Sequence, residues 1–362
     1  MSVADPQTLP TSSIPVSAMP LISPNALLHA HLKQNPPRRP SGRSPLETRT
    51  TQLNVGSLSH CNGSSLVKIG DTTIVCGVRA QVLPVSEIAN FRVTKTSQSY
   101  DPSVSVKQGG PNQQTGGHGY SYNPISLYNL LVPNIELATG CSPKHPANTM
   151  PSVEAQSLSQ RLLSLLHSSA LVEPSQLEII YTPPIDSQDL ELGIESDPEI
   201  KAFWTLYIDI MCISYGGSIF DAAWMALYAA LKDTKLPQAW WDADLEQVLC
   251  SAEQAEPLSV HGFPVPTTFG VFVPDKRTVA NQETSEPVHW IVADMDAFEE
   301  GSCTETCCVT IDKENTNEET SILRIEKSGG TVLDLRRVED CLATAEGRWR
   351  HWDQLLSSVF QP

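Results

Sequence analysis

The segment that most constrains this chain is an apolar run that passes through two glycines into an alanine-rich stretch, LYIDIMCISYGGSIFDAAWMALYAAL, residues 206–231. Alternating polar and apolar residues predict a strand from about Phe203 to Ile213. The following small and apolar residues predict a helix that lies close to a sheet and ends before Pro237. Strand, glycine turn and helix N-terminus also form a common phosphate-binding arrangement, because free N–H groups and the helix dipole attract anions there. The segment is therefore either a phosphate-handling site or a structural turn.

The remaining pattern predicts an α+β fold, with mixed β-sheets and helices packed on their faces. Two strands meet at Gly70-Asp71, a two-residue connection that is typical of a tight hairpin. Helices are predicted from Ser23 as N-cap, over Glu154–Ala170 and at the C-terminus, and an acidic loop follows Pro237. Further strands are predicted at LYNLLVPNIEL, Leu177–Tyr181, TTFGVFV, VHWIVADM, CCVTID and SILRIE.

We expect one folded domain over residues 23–362. Residues 1–22 are rich in Pro and Ser and predict a flexible tail, and the polar residues 93–123 predict a disordered insertion. Nine cysteines, an odd number and several within apolar runs, are typical of a reducing intracellular compartment. No secretory signal and no apolar run near the ~18 residues of a membrane span is found.

The net charge of −17 limits how this chain can bind nucleic acid. Neutralising phosphates with Lys and Arg supplies most of the affinity for RNA or DNA. We therefore expect any nucleic-acid contact to be local, or shared with a more basic partner.

The stretch RPSGRSPLETRTTQLNVGSLSHCNGSSLVKIGDTTIVCGVRAQV, residues 39–82, carries a family resemblance. Its R-P-x-G-R, E-x-R and GSSLVKIGDTTIVCGV segments resemble the opening of the RNase PH family, in particular the non-catalytic branch that builds the eukaryotic RNA exosome ring. VPNIEL, CSP, EAQSLSQRL, the double-glycine segment, TTFGVF and the closing SGG continue the likeness, which covers roughly residues 25–360 apart from the insertions.

The resemblance implies a structural subunit that completes a ring and helps to form a channel for RNA, while an associated nuclease cuts. Its implied partners are other RNase PH-like ring subunits, cap subunits and nucleases, with RNA bound through the assembled ring and no membrane. Its implied processes are rRNA maturation and mRNA turnover. Its implied location is the nucleus and nucleolus, with a cytoplasmic pool. No cofactor is implied. Strand edges, such as that of Thr72–Val82, could pair between subunits.

Phosphorolysis needs cations for phosphate and a carboxylate near the scissile bond. The resemblance implies that active members carry a basic phosphate loop before the first core helix and an aspartate before the glycine pair. Here KHPANTMPSVEAQSLSQ offers no Arg or Lys between Lys144 and Arg161, and Tyr215 precedes the glycines. We therefore predict no catalytic residue. An active phosphate-dependent 3′→5′ exoribonuclease and an acidic scaffold outside any ring remain the alternatives.

Two acids flank the turn. Asp209 could be a surviving catalytic acid, or an acceptor of backbone N–H or hydroxyl hydrogen bonds, which we favour. Asp221 is expected in the first turn of the helix, where its charge complements the dipole.

Basic residues cluster in two places and are either solvated or in contact with RNA or a partner. From them we select as contact candidates Arg38, Arg39, Arg43, Arg348 and Arg350, the last two beside Trp349 and Trp352 on a predicted amphipathic helix. Arg43, Glu47 and Arg49 alternate, so an Arg–Glu ion pair within this segment is the other interpretation. Cys303, Cys307 and Cys308 lack the paired spacing of a zinc site, and we predict no metal.

Overall fold

The computed structural model describes residues 19–89, 91, 123–137, 140–143, 145, 152–184, 198–273, 289–313 and 319–360. Within these ranges the chain forms two sheets, a separate hairpin and a set of helices. The predicted α+β class is confirmed. The expected insertion lies outside the described residues apart from Asn123. Of the expected tail, the structure describes only the end, where Met19–Ile22 is a short helix, α1.

The first sheet contains six strands, β1 to β6, in the order β1-β2-β3-β6-β4, with β5 paired to one end of β6. Only the β4–β6 pair is parallel. The strands are Thr51–Val55, Gly63–Ile69, Thr72–Pro84, Leu131–Leu137, Glu178–Tyr181 and Glu199–Ser214. Ile69 pairs with Thr72, which confirms the tight turn at Gly70-Asp71. The suggestion that Thr72–Val82 is an edge strand is wrong for Thr72–Val78, where β2 and β6 pair on the two sides, whereas residues 79–82 pair with β6 only.

The second sheet has the antiparallel order β10-β9-β11-β12. Its strands are Val265–Phe272 (β9), Trp290–Ala293 (β10), Glu305–Asp312 (β11) and Ser321–Ser328 (β12). The acidic loop expected after Pro237 is wrong. This part of the chain forms a hairpin of Lys235–Asp242 (β7) and Gln247–Pro257 (β8).

The remaining helices are Pro24–Leu32 (α2), Pro124–Leu127 (α3), Val153–Ser169 (α4), Ile219–Asp233 (α5), Ala297–Ser302 (α6) and Leu335–Phe360 (α7). Short 3₁₀ turns occur at Val85–Glu87 and Pro174–Leu177. Helix α4 buries the apolar positions that its spacing predicts, Ala155, Leu158, Leu162, Leu165 and Leu166. No helix in these ranges has the length and hydropathy that crossing a membrane requires.

Helix α5 is the centre of the core, since every side chain from Ile219 to Leu231 is buried. On one side, the Ser65 hydroxyl of β2 donates to the Ala226 carbonyl at 2.6 Å. On another, the Trp224 indole donates to the Pro264 carbonyl at 2.7 Å, just before β9. A single cluster of buried side chains includes residues of both sheets. The small residues of α5 therefore let it pack against both sheets, and its N-terminus lies at the double-glycine turn.

Candidate functional site at the double-glycine turn

The Gly216-Gly217 turn is packed on both sides by backbone. Gly217 has a φ of +97°, and a Cβ placed there would lie 2.4 Å from the Met295 carbonyl oxygen. A Cβ at Gly216 would lie 2.9 Å from Asp71. The Ala297 N–H donates to the Gly216 carbonyl at 3.0 Å. Both glycines are therefore needed because the chain passes too close to its neighbours for any side chain.

The cation nearest the turn is Arg49, and each nitrogen of its guanidinium already donates to a group of this chain. Its guanidinium donates to the carbonyls of Gly216 at 2.7 Å and Gly217 at 3.1 Å. It also pairs with Asp294, with Nη2 2.7 Å from Oδ1, and the Arg49 N–H donates to Oδ2 at 2.7 Å. Burial alone would raise the pKa of Asp294, but the hydrogen bonds and charge of Arg49, with the charge of Arg348, lower it to about 2. Arg49 therefore fixes the turn and is not directed at an open anion site.

A carboxylate of this chain lies near the N-terminus of α5. The backbone N–H of Ser218 lowers the pKa of Glu300, which is carried by α6, so the two groups are neighbours. Ser218 is the N-cap residue, and its own side chain makes no capping hydrogen bond in the described chain. A helix N-terminus binds anions through its free N–H groups, and the nearby carboxyl group of Glu300 opposes the binding of a phosphate there.

Tyr215, which precedes the glycines, lies between two carboxylates. Its hydroxyl oxygen is 3.0 Å from Oε1 of Glu154 and 3.0 Å from Oε2 of Glu300. A phenol carries one proton, so it can donate to only one of them at a time. Burial and the charges of Glu300 and Glu154 raise the pKa of Tyr215, which keeps the phenol protonated. His145 lies beside this group, with Nε2 3.8 Å from Oε2 of Glu154. We call Glu154, Tyr215, Glu300 and His145 the Tyr215 cluster.

Glu300 is held in surroundings that disfavour its charge. Burial raises its pKa, the hydrogen bond from Tyr215 opposes this, and the charge of Glu154 raises it further. The cluster is thus acidic, and within the described residues no Lys or Arg forms an ion pair with either of its carboxylates. A phosphate-binding site instead places cationic side chains around the anion.

Asp221 lies in the first turn of α5, as predicted, but it is completely buried. Thr268 donates to it through its N–H at 2.9 Å and its hydroxyl at 2.6 Å. Nη1 of Arg348 in α7 lies 3.0 Å from Oδ2. Burial raises the pKa of Asp221, and Arg348 and Thr268 oppose the shift. Asp221 therefore joins α5 to the second sheet and to α7, and its role is wider than complementing the helix dipole.

Asp209 lies away from the turn. Its side chain is on an exposed face of the first sheet, where Oδ2 pairs with Nη2 of Arg79 at 2.8 Å. Six residues of extended strand, about 20 Å, separate it from Tyr215. The preferred interpretation, a backbone or hydroxyl acceptor, is wrong, because Arg79 on the neighbouring strand provides an ionic partner that the sequence does not reveal.

Two of the five arginine contact candidates are inside the protein. Arg39 is 1% exposed and pairs with the buried Glu299, with Nε 2.7 Å from Oε1, and it donates to the carbonyls of Ala293 and Asp294. Arg348 is 5% exposed and pairs with Asp221. Both guanidinium groups are buried beside a carboxylate of this chain, which corrects the expectation that they could reach RNA or a partner.

The other three candidates lie nearer the surface, and for them contact with RNA or a partner stays a prediction. Arg38 is exposed and donates to the Gly42 carbonyl at 3.0 Å, and Arg350 is exposed and pairs with Glu346 on the next helical turn. Arg43 retains 14% side-chain exposure beside Asp294 and Asp296.

The expected ion pair within Arg43, Glu47 and Arg49 does not form in the structure. The carboxylates come instead from the segment between β10 and α6, namely Asp294, Asp296 and Glu299. The acids of ADMDAFEE are the only sequence signal for this network, and nothing in their spacing links them to arginines some 250 residues earlier.

The cysteines considered as metal ligands lie in or beside β11. Cys307 and Cys308 are adjacent in that strand and both are buried. In the part of the chain that the structure describes, no three His, Cys, Asp or Glu side chains are grouped so that they could hold a metal ion.

Comparison with protein families and curated proteins finds related sequences. The sequence profile described as the 3′ exoribonuclease family, domain 1 (RNase PH) matches residues 47–116 and 96–237. The exosome complex component rrp43 of Schizosaccharomyces pombe is 29% identical over 328 residues, 91% of this chain and 93% of that protein. The exosome complex component Rrp42 of Methanothermobacter thermautotrophicus is 26% identical over 235 residues, 65% of this chain and 66% of that protein.

Solved structures share the fold. A chain of the Archaeoglobus fulgidus exosome with RNA bound to the active site superposes with a TM-score of 0.57 at 19% identity, covering 91% of this chain and 96% of that one. A chain of an archaeal exosome core gives a TM-score of 0.56 at 20% identity, covering 96% of this chain and 100% of that one.

Proposed function

The chain belongs to the RNase PH family of 3′ exoribonucleases, and from this premise we propose that it is a non-catalytic ring subunit of an RNA exosome core. In this role the chain contributes a wall of the ring and helps to guide RNA to a separate nuclease. The likeness to rrp43 over nearly the whole of both chains supports the exosome assignment. The processes would be rRNA maturation and mRNA turnover, in the nucleus, the nucleolus and the cytoplasm.

The observation that carries the non-catalytic part is the pair of carboxylates, Glu154 and Glu300, on the Tyr215 hydroxyl beside the turn. A helix N-terminus offers about half a positive charge. At an effective dielectric constant of about 20, a unit charge 4 Å from a carboxylate is repelled by roughly 4 kcal/mol, about twice the attraction of that half charge. Phosphate is therefore not favoured at this turn.

The position of Arg49 gives a second argument of the same kind. Binding of two phosphate groups for phosphorolysis needs cationic donors that point at them. The Arg49 guanidinium instead donates to two carbonyls and to Asp294. The alternative, an active phosphate-dependent exoribonuclease, would require this side chain to leave the turn that it fixes.

RNA contact would be limited to a few exposed cations, in keeping with the net charge of −17. Of the predicted contact residues, Arg38, Arg43 and Arg350 are the ones that can reach an external ligand. We propose that they contact RNA or a neighbouring subunit within the assembled ring.

Co-assembly tests the proposed role. The tagged chain is co-expressed with RNase PH-type ring subunits and purified by affinity and size exclusion. We expect one stoichiometric complex in which this chain occupies one ring position. A chain that elutes alone, with the subunits forming their complex without it, would favour the acidic scaffold outside any ring.

A further inference from the structure

The Tyr215 cluster contains more negative charge than its own donors can satisfy. Glu154 and Glu300 both lie 3.0 Å from one phenolic oxygen that has a single proton. The described contacts of Glu154 at hydrogen-bond distance comprise only the phenol. Glu154 therefore has acceptor positions to spare.

His145 supplies an independent observation at the same place. Its side chain is only 9% exposed, yet Nε2 has no hydrogen-bond partner among the described residues. The nearest carboxylate oxygen, Oε2 of Glu154, is 3.8 Å away, beyond a hydrogen bond. A buried ring nitrogen without a partner is costly, and here it faces an acid that is also incompletely bonded.

The cluster can be reached from outside. The Glu154 side chain is 42% exposed, and the preceding residue, Val153, is 83% exposed at the start of α4. An apolar side chain next to a partly bonded carboxylate and an aromatic ring is a combination that suits an arginine, whose stem is apolar and whose guanidinium is planar.

We infer that the Tyr215 cluster is a docking site for an arginine side chain of a neighbouring protein subunit. The guanidinium would donate to the Glu154 carboxylate and the Tyr215 oxygen, and Val153 would contact the arginine stem. Arginine is the matched ligand because its five donors form a fork that can satisfy several acceptors at once. The identity of the occupant as a subunit rests on the proposed function, whereas the chemistry of the site does not.

The chemistry is tested on the full-length chain with ¹³Cζ-labelled tyrosine, and the Tyr215 signal is assigned with Tyr215→Phe. Acetyl-Gly-Arg-Gly-amide is titrated at pH 7.5 and constant ionic strength, with the citrulline peptide as an uncharged isostere. We expect a saturable shift of the Tyr215 signal with the arginine peptide only. Glu154→Gln should weaken this binding about tenfold, and Glu136→Gln, an exposed carboxylate of β4, should leave it unchanged.

Equal responses to the two peptides, or an undiminished response in Glu154→Gln, would overturn the arginine site. In the assembled complex, a benzophenone amino acid at position 153 should cross-link to an arginine-containing segment of one adjacent subunit. Absence of that cross-link from an intact complex would overturn the choice of occupant. Neither result depends on whether the chain degrades RNA, and failure of the complex to form would count against the proposed function instead.

Discussion

Replacing Asp294 by Asn should loosen the junction between the N-terminal segment and the double-glycine turn. Asp294 is completely buried, and its carboxylate accepts hydrogen bonds from both the side chain and the backbone N–H of Arg49. Asp294→Asn removes the charge and leaves Arg49 without its ionic partner. Breaking one half of a buried ion pair costs about 3–5 kcal/mol, so we expect a loss of this size in the free energy of unfolding at pH 7.

The pH dependence of that loss is a sharper test. The pKa of Asp294 is lower in the folded chain, about 2, than its ordinary value of 3.8. The stabilisation is therefore complete above about pH 4 and is lost as the pH falls through about 2. The difference between the two values corresponds to about 2 kcal/mol, of which about half is lost by pH 3.

The assay is urea unfolding of the wild type and Asp294→Asn between pH 7 and pH 3, followed by tryptophan fluorescence. The stability gap between the two proteins should narrow by about 1 kcal/mol at pH 3. Other carboxyl groups titrate in both proteins and cancel in the difference. A stability gap that stays constant with pH, or one below about 1 kcal/mol at pH 7, would refute a stabilising ion pair between Asp294 and Arg49.

Four further substitutions, in two matched pairs, test the structural roles assigned here, all by urea unfolding at pH 7. Arg39→Ala removes the main ionic partner of the buried Glu299, which keeps only the Asp296 N–H and the more distant Arg43, and should cost about 3 kcal/mol. The exposed Arg38→Ala should cost under about 0.5 kcal/mol; similar losses would contradict the buried pair. Gly217→Ala combines a φ of +97° with a 2.4 Å approach to backbone and should cost more than about 3 kcal/mol. Gly347→Ala, in open space within α7, should stabilise by about 0.5–1 kcal/mol; equal signs for the two glycine substitutions would contradict the close approach.

The elements that periodicity predicts well are those whose burial is set by their own side chains. Helix α4 and the strand pair at Gly70-Asp71 belong to this group, because their apolar positions repeat at 3.6 and 2 residues. The β7–β8 hairpin was missed because its many acids resemble a solvated loop. The position of Thr72–Val78 inside the sheet cannot be predicted either, since strand order depends on contacts between distant segments.

The candidate site also has features that the sequence predicts and features that it does not. The absence of a basic loop and of an acid before the glycines can be read along the chain. The contact of Glu300 with Tyr215, and the interior positions of Arg39 and Arg348, cannot. In each case the deciding partner is far away in sequence, so a charged residue looks free for a ligand when it is bound inside the fold.

Phosphorolysis by the purified chain is the most direct test of the claim that the double-glycine turn is structural. The chain is incubated with short single-stranded RNA with and without inorganic phosphate, and nucleoside diphosphates are measured by mass spectrometry. Asp209→Ala serves as the matched variant, because Asp209 is the one acid that we considered as a retained catalytic residue. We predict no phosphate-dependent release of diphosphates from either protein. Phosphate-dependent release by the wild type that disappears in Asp209→Ala would contradict the account and make this subunit a nuclease.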